Sequence, residues 1–364
     1  MKELIGYSFL QMVFNQLFVG YMVVVRLKAK AGFYNFFQGL RAVAGLLTAL
    51  VLVFYFKSDI TALVSSLALV DALCILLLTA LNPAKIMLRF KEINPLVLKE
   101  LLQYGSMGLI LNISLLSISY SDRYIIAMFC ELEEVGIYDQ VAKISQLSIM
   151  ALITIYFNTI NPSLLKKLDT DFKAALTHIQ KYVLVFIVFG GPIVCYLALF
   201  SEEIAGLLLG EAFREGYVLM PYIFLGTYLH GLSNFFELRL KFSDKLLRLS
   251  MVALTVAGLN IILNFIFVRN FGYQWAAYTT LASYLIMILL LFVKDVEVLS
   301  TLWEKRRLML KILVLLTTQS LFYFIFVDKL DLQPVGNLGI GLIFALMYLL
   351  FLRKSILKIE IPTN

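Results

Sequence analysis

Cysteine and histidine are scarce in this 364-residue chain, which has three of the first and two of the second. Cys74, Cys130 and Cys195 are odd in number, fall in or at the ends of apolar runs and lack metal-ligand spacing. That argues against a disulfide framework or a thiolate metal centre and leaves them as small hydrophobes. His178 and His230 stand far apart, with no nucleophile elbow, glycine-rich phosphate loop or metal-ligand pattern beside them. No catalysis, metal or cofactor is therefore expected. Long polar connections are also missing, so no loop can house a soluble catalytic domain, and function must reside between helices. Nor does Met1–Val25 read as a cleaved leader. Its apolar run carries Gln11, Asn15 and Gln16, lacks a small-residue cleavage site and precedes its basic cluster, so it is taken as a span.

What is present is apolar sequence. Hydrophobic residues make up 61% of the chain and its mean hydropathy is +0.89, well beyond a soluble domain, where about half the residues are apolar. Runs of about 20 residues, enough to cross a hydrocarbon core of about 30 Å, recur from end to end. Eleven spans are predicted, over residues 4–25, 36–56, 60–81, 104–128, 134–157, 180–200, 217–236, 247–268, 273–293, 309–327 and 335–352. The fold class is an all-α polytopic membrane protein of about 11 transmembrane helices.

The net charge of +7 is distributed in a way that excludes a nucleic-acid partner. Of the 31 basic residues, 23 fall in alternate connections, in clusters such as Arg26, Lys28 and Lys30, or Lys305, Arg306 and Arg307, and six fall in the others. This is the positive-inside bias, and it places the amino terminus outside and the carboxyl terminus in the cytoplasm.

A charge at the bilayer centre costs about 2.5–3.5 kcal/mol, so the few ionic groups inside spans are the candidate functional residues. They are Arg41, Asp71, Asp122, Arg123, Asp139 and Lys143, with His230 as a titratable addition. Asp139 and Lys143 share a helical face in the acid-before-base order that favours pairing. Lys143 lies about 13 Å below the outer surface by the helical rise, and Arg123 sits at a similar level. Two such cations suit an anionic group such as a phosphate, arginine through a bidentate fork and lysine as a point charge. Alternatively, Asp139 neutralises Lys143 while Asp122 and Arg123 reach the headgroups. Arg41 and Asp71 are placed to pair across a hairpin. His230 with Asn234, and Asn260 with Asn264, occupy common faces that suit interhelical hydrogen bonds.

Residues 82–105 (NPAKIMLRFKEINPLVLKELLQYG) read as an amphipathic linker at the inner surface. Gly190, Gly191 and Pro192 interrupt the sixth span, and a kink is expected there.

The segment DRYIIAMFCELEEVGIYDQVAKIS (residues 122–145) resembles the most recognisable stretch of Wzx-type polysaccharide flippases: an Asp-Arg pair, an apolar run, Val-Gly-Ile-Tyr and a following lysine. GLNIILNFIFVRNFGYQWAAYTTLASYL (258–285) is similar to that family's asparagine-containing helix, Phe-Gly turn and small-residue helix start, and FNTINPSLLKK (157–167) fits the inner end. The resemblance implies a member of the multidrug, oligolipid and polysaccharide exporter superfamily, with a MATE-like two-lobe exporter fold around a central cavity. Residues 1–82 would be the latter half of the first lobe, 83–103 a cytoplasmic linker, 104–293 the second six-helix lobe and 294–364 two appended helices with a cytoplasmic tail. The first lobe would be incomplete by about three helices, an odd number that agrees with an outside amino terminus.

The function implied is flipping of undecaprenyl-pyrophosphate-linked oligosaccharide repeat units across the bacterial cytoplasmic (inner) membrane, for O-antigen, lipopolysaccharide or capsule. Arg41, Arg123 and Lys143 would meet the headgroup, with Asp71, Asp122, Asp139, His230, Asn234, Asn260 and Asn264 as supporting polar groups. The partners are the lipid-linked oligosaccharide and membrane lipids, with a polysaccharide polymerase and a chain-length regulator as further candidates. The alternatives are a cation-coupled drug antiporter of the same superfamily or a non-functional truncated remnant.

Overall fold

The computed structural model describes residues 2–27, 31–55, 61–81, 94–170, 172–243, 245–327, 336–337, 339–341, 343, 347–348 and 350. Among the described residues there is no strand. Helix is what long apolar runs must form in lipid, because only a helix or a closed barrel satisfies every backbone group without water. The chain divides into two compact units, Met1–Pro95 and Leu96–Asn364.

The first unit contains α1 (Lys2–Leu27), α2 (Ala31–Phe54) and α3 (Thr61–Leu81). Helix α3 packs on both others. Phe18 and Met22 of α1, Phe37 of α2, and Val70, Cys74 and Leu78 of α3 form its buried core. Phe9, Leu46 and Phe54 stand exposed, as suits side chains whose solvent is hydrocarbon.

The second unit begins with α4 (Pro95–Phe129) and α5 (Leu132–Thr170), then α6 (Phe172–Leu199) and the short α7 (Ser201–Leu208). A 3₁₀ segment (Glu211–Leu219) leads into α8 (Met220–Phe242), followed by α9 (Leu246–Phe271) and α10 (Trp275–Phe292). After a second 3₁₀ turn (Val296–Leu299) come α11 (Ser300–Glu304), α12 (Arg306–Phe322) and a π turn (Tyr323–Val327). One continuous core joins α4 to α10, including Ile118, Ile126, Val141, Phe235, Phe236, Leu249 and Val256. Leu184 and Val188 of α6 pack with Ile312 of α12 and Tyr348.

Nine helices among the described residues are long and apolar enough to cross a membrane. They answer to nine of the eleven predicted spans. The seventh (217–236) is also helical but begins at Met220, and its last turns carry Glu237, Arg239 and Lys241. Half of the eleventh (335–352) lies outside the described residues, and the half that is described is helical. The fourth span differs in extent: α4 starts at Pro95, a residue whose fixed φ and missing N–H suit a first helical position. Its 35 residues reach about 52 Å, longer than the hydrocarbon core. Residues 95–103 of the predicted linker are therefore the first turns of α4, and residues 82–93 lie outside the described residues.

The sixth span runs as one helix, with Pro192 inside α6. Proline removes the N–H that would bond to the carbonyl four residues back, Val188. The Tyr348 hydroxyl supplies that bond instead, donating to Val188 O at 2.9 Å. Gly190 serves close approach: a Cβ there would lie 2.6 Å from Cε2 of Tyr228, whose hydroxyl donates to Phe186 O at 3.1 Å. The interrupted sequence therefore marks where α8 and Tyr348 press on α6.

Candidate functional site

In α4, Asn112, Ser119 and Arg123 recur at helical spacing, and in α5 Asp139, Lys143 and Gln146 do the same. These two stripes face a cavity of about 670 Å³, completed by Thr227 and His230 of α8 and Tyr284 of α10. Asn112, Ser119, Gln146, Thr227 and Tyr284 were not singled out in the sequence. Gln146 carried a signal, since it sits three residues after Lys143 on the same face.

Asp139 is shared by two cations. Arg123 Nε donates to Oδ1 at 2.9 Å and Lys143 Nζ to Oδ2 at 2.6 Å. The two cations are otherwise unlike. Arg123 also donates through Nη1 to Ser119 O at 2.6 Å and to Asp122 Oδ1 at 3.0 Å, and through Nη2 to Gln146 Oε1 at 3.5 Å. Its guanidinium lies over the Tyr120 and Tyr138 rings, and its side chain is 13% exposed. Most of the fork is thus engaged by protein. Lys143, 56% exposed, pairs only with Asp139 among the described residues, and keeps donors for a guest.

Asp122 does not face the cavity. It is fully buried behind Arg123, and the Tyr138 hydroxyl donates to its Oδ2. The cavity wall therefore presents two positive charges and one negative. His230 lies beside Tyr284, ring centroids 5.3 Å apart, and the Tyr284 hydroxyl meets that of Ser119 at 3.0 Å. Asn234, half-buried on the same helix, is not among the lining residues.

Asn260 and Asn264 are fully buried. Asn260 Nδ2 donates to Ser283 Oγ at 3.1 Å and Thr280 Oγ1 at 3.4 Å, while its Oδ1 accepts from Asn264 Nδ2 and Ser121 Oγ, each at 3.3 Å. Thr279 donates to Asn264 Oδ1. This chain of bonds joins α4, α9 and α10, as the interhelical reading of those asparagines requires.

In the first unit Arg41 does meet Asp71. Nε and Nη2 reach Oδ1 and Oδ2 at 2.5 and 3.0 Å, and Nη2 also donates to Asn15 Oδ1 at 3.2 Å. The pair ties α1, α2 and α3 together, with Asp71 fully buried. A further ionic cluster escaped sequence reading: Asp295, buried after α10, is held between Arg239 of α8 and Arg248 of α9, and Arg239 also meets Glu297 at 2.9 Å.

No curated protein sequence matches the chain significantly. Among solved structures it is similar to "Lipid II flippase MurJ, inward closed conformation", with a TM-score of 0.67 and 14% identity, over 95% of this chain and 73% of that one. That likeness establishes the fold, and the nine long apolar helices are those of a multi-pass membrane protein. The sequence pattern of the family "Polysaccharide biosynthesis protein" matches residues 9–217, more than half of the chain, which therefore belongs to that polysaccharide biosynthesis family.

Proposed function

We propose that this protein flips an undecaprenyl-pyrophosphate-linked oligosaccharide from the inner to the outer leaflet of the bacterial cytoplasmic membrane, amino terminus outside and carboxyl terminus inside. The observation that carries the reading is the half-exposed Lys143 on the wall of a roomy cavity with both polar and apolar lining, its only carboxylate partner among the described residues already shared with Arg123. A sugar-pyrophosphate headgroup cannot enter hydrocarbon unaided, because ions and unsatisfied polar groups are heavily penalised there. A wall with surplus positive charge and the side-chain amides of Asn112 and Gln146 replaces that lost hydration.

Lys143 meets the phosphate as a point charge. Arg123 keeps Asp139 from cancelling Lys143 and offers the outer edge of its fork. Gln146, Asn112 and the Tyr120 and Tyr284 rings suit the sugar. Asp122 positions Arg123; within the first unit, Asp71 positions Arg41, a candidate cation for an anionic headgroup in its own right. The lipid tail stays in the bilayer while helical bodies rock about the guest. The Arg41–Asp71 fork weighs against a drug antiporter, since it occupies the deep acid that cation coupling would use.

The test is transport by the purified protein in liposomes. Wild type should carry a polyprenyl-pyrophosphate oligosaccharide across the bilayer and should not transfer its sugar. Movement of cationic dyes in place of the lipid, or glycosyl transfer, would overturn the proposal.

A further inference from the structure

Glu203 lies on α7, away from the cavity-lining set, and is 7% exposed. Its Oε1 accepts from Asn337 Nδ2 at 2.9 Å and from the Tyr323 hydroxyl at 3.4 Å. Its Oε2 is buried and has no donor among the described residues, and the same holds for Oδ1 of Asn337. Two acceptor oxygens on two groups already joined by one hydrogen bond are thus both left unpaired, and one of them belongs to a carboxylate. Burying an unpaired acceptor or charge is costly, so such atoms call for a positive partner.

Among the described residues no protein group provides one. The groups facing Glu203 are Tyr196 of α6, Tyr323 of the π turn after α12 and Asn337, and no lysine, arginine or histidine pairs with it among the described residues. The surroundings are tightly closed: Tyr196 packs tilted on Phe200 and Phe200 edge-to-face on Tyr323, ring centroids 4.8 and 4.9 Å apart, and a Cβ on Gly341 would collide with the Tyr196 and Phe200 rings. Tyr323, Asn337 and Gly341 are therefore pressed onto α6 and α7 around an uncompensated carboxylate.

We infer that Glu203 and Asn337 form a binding site for one small monovalent cation, a proton or an alkali ion, held between Glu203 Oε2 and Asn337 Oδ1. One carboxylate balances one positive charge, and both donors are hard oxygens, the ligand type of alkali and similar ions rather than of soft metals. A proton on Oε2 would donate to Asn337 Oδ1 and close a reciprocal acid–amide pair. An alkali ion would take the same two oxygens as two of its ligands. In either case the cation links α7 to the segment that follows α12, independently of the cargo carried in the cavity.

The experiment is thermal unfolding of the full chain in detergent, at pH 5.5 to 8.5, in sodium or in choline chloride, for wild type and Glu203→Gln. A ligand bound only by the folded state stabilises it by mass action. Wild type should gain about 3 °C or more on acidification if the occupant is a proton, or on exchange of choline for sodium at fixed pH if it is an alkali ion. Glu203→Gln, whose amide can donate to Asn337 Oδ1 while its oxygen accepts from Nδ2, should unfold at least as high as wild type at pH 8.5 in choline and lose the dependence. Asn337→Ala, which removes the second oxygen but keeps the carboxylate, should blunt it. Flat wild-type curves, or an unaltered dependence in both variants, would overturn the site.

Discussion

The Asp122 carboxylate lies fully buried directly behind Arg123, accepting Nη1 at 3.0 Å on one oxygen and the Tyr138 hydroxyl on the other. The orientation of the cavity's arginine is thus set by a carboxylate that never faces the cavity. Removing one member of a buried ion pair strands the other. Asp122→Ala is expected to cost about 3 kcal/mol, and Tyr138→Phe about 1–2 kcal/mol, read as thermal unfolding in detergent. Equal, negligible effects would show that Arg123 is held by Asp139 and Ser119 alone.

Arg41 and Asp71 should behave as a coupled pair. Arg41→Ala leaves a fully buried carboxylate without its partner and is expected to destabilise by about 3–5 kcal/mol. Arg41→Ala with Asp71→Ala should be milder than the sum of the two single changes, since the double variant leaves no stranded charge. Strict additivity in a double-mutant cycle would contradict the bridge.

Tyr348 and Pro192 offer a rescue test. Tyr348→Phe leaves the Val188 carbonyl without the donor it has now and should cost about 1–2 kcal/mol. Pro192→Ala returns the backbone N–H that a helix uses at that position. The phenylalanine change should therefore cost less in the Pro192→Ala background, again by thermal unfolding. A cost that does not depend on residue 192 would mean the hydroxyl is not substituting for that bond.

The helices and one of the ionic pairs were legible in sequence because they rest on short-range chemistry. Apolar runs of membrane length become helices whatever packs on them, and Asp139 with Lys143 needs only the turn of one helix. Arg41 with Asp71 was visible because two charges in otherwise apolar neighbours have few other partners. The rest depended on contacts distant in sequence. Tyr138 reaches Asp122 only once α4 and α5 are set side by side, and Arg239 meets Asp295 across 56 positions with nothing local to mark it. Gly190, Gly191 and Pro192 read as an interruption because the compensating hydroxyl of Tyr348 lies far along the chain. The asymmetry between Arg123 and Lys143 was equally hidden, since two cations at one depth look alike until their partners are known.

That asymmetry gives the sharpest test. Two unit charges at 4 Å interact by about 4 kcal/mol at an effective dielectric of 20, and partial exposure of Lys143 reduces this. Equilibrium binding of undecaprenyl pyrophosphate to the purified protein should weaken by about ten- to hundredfold in Lys143→Ala, with most of the affinity kept in Lys143→Arg. Wild-type affinity in Lys143→Ala would contradict an anionic headgroup at this wall.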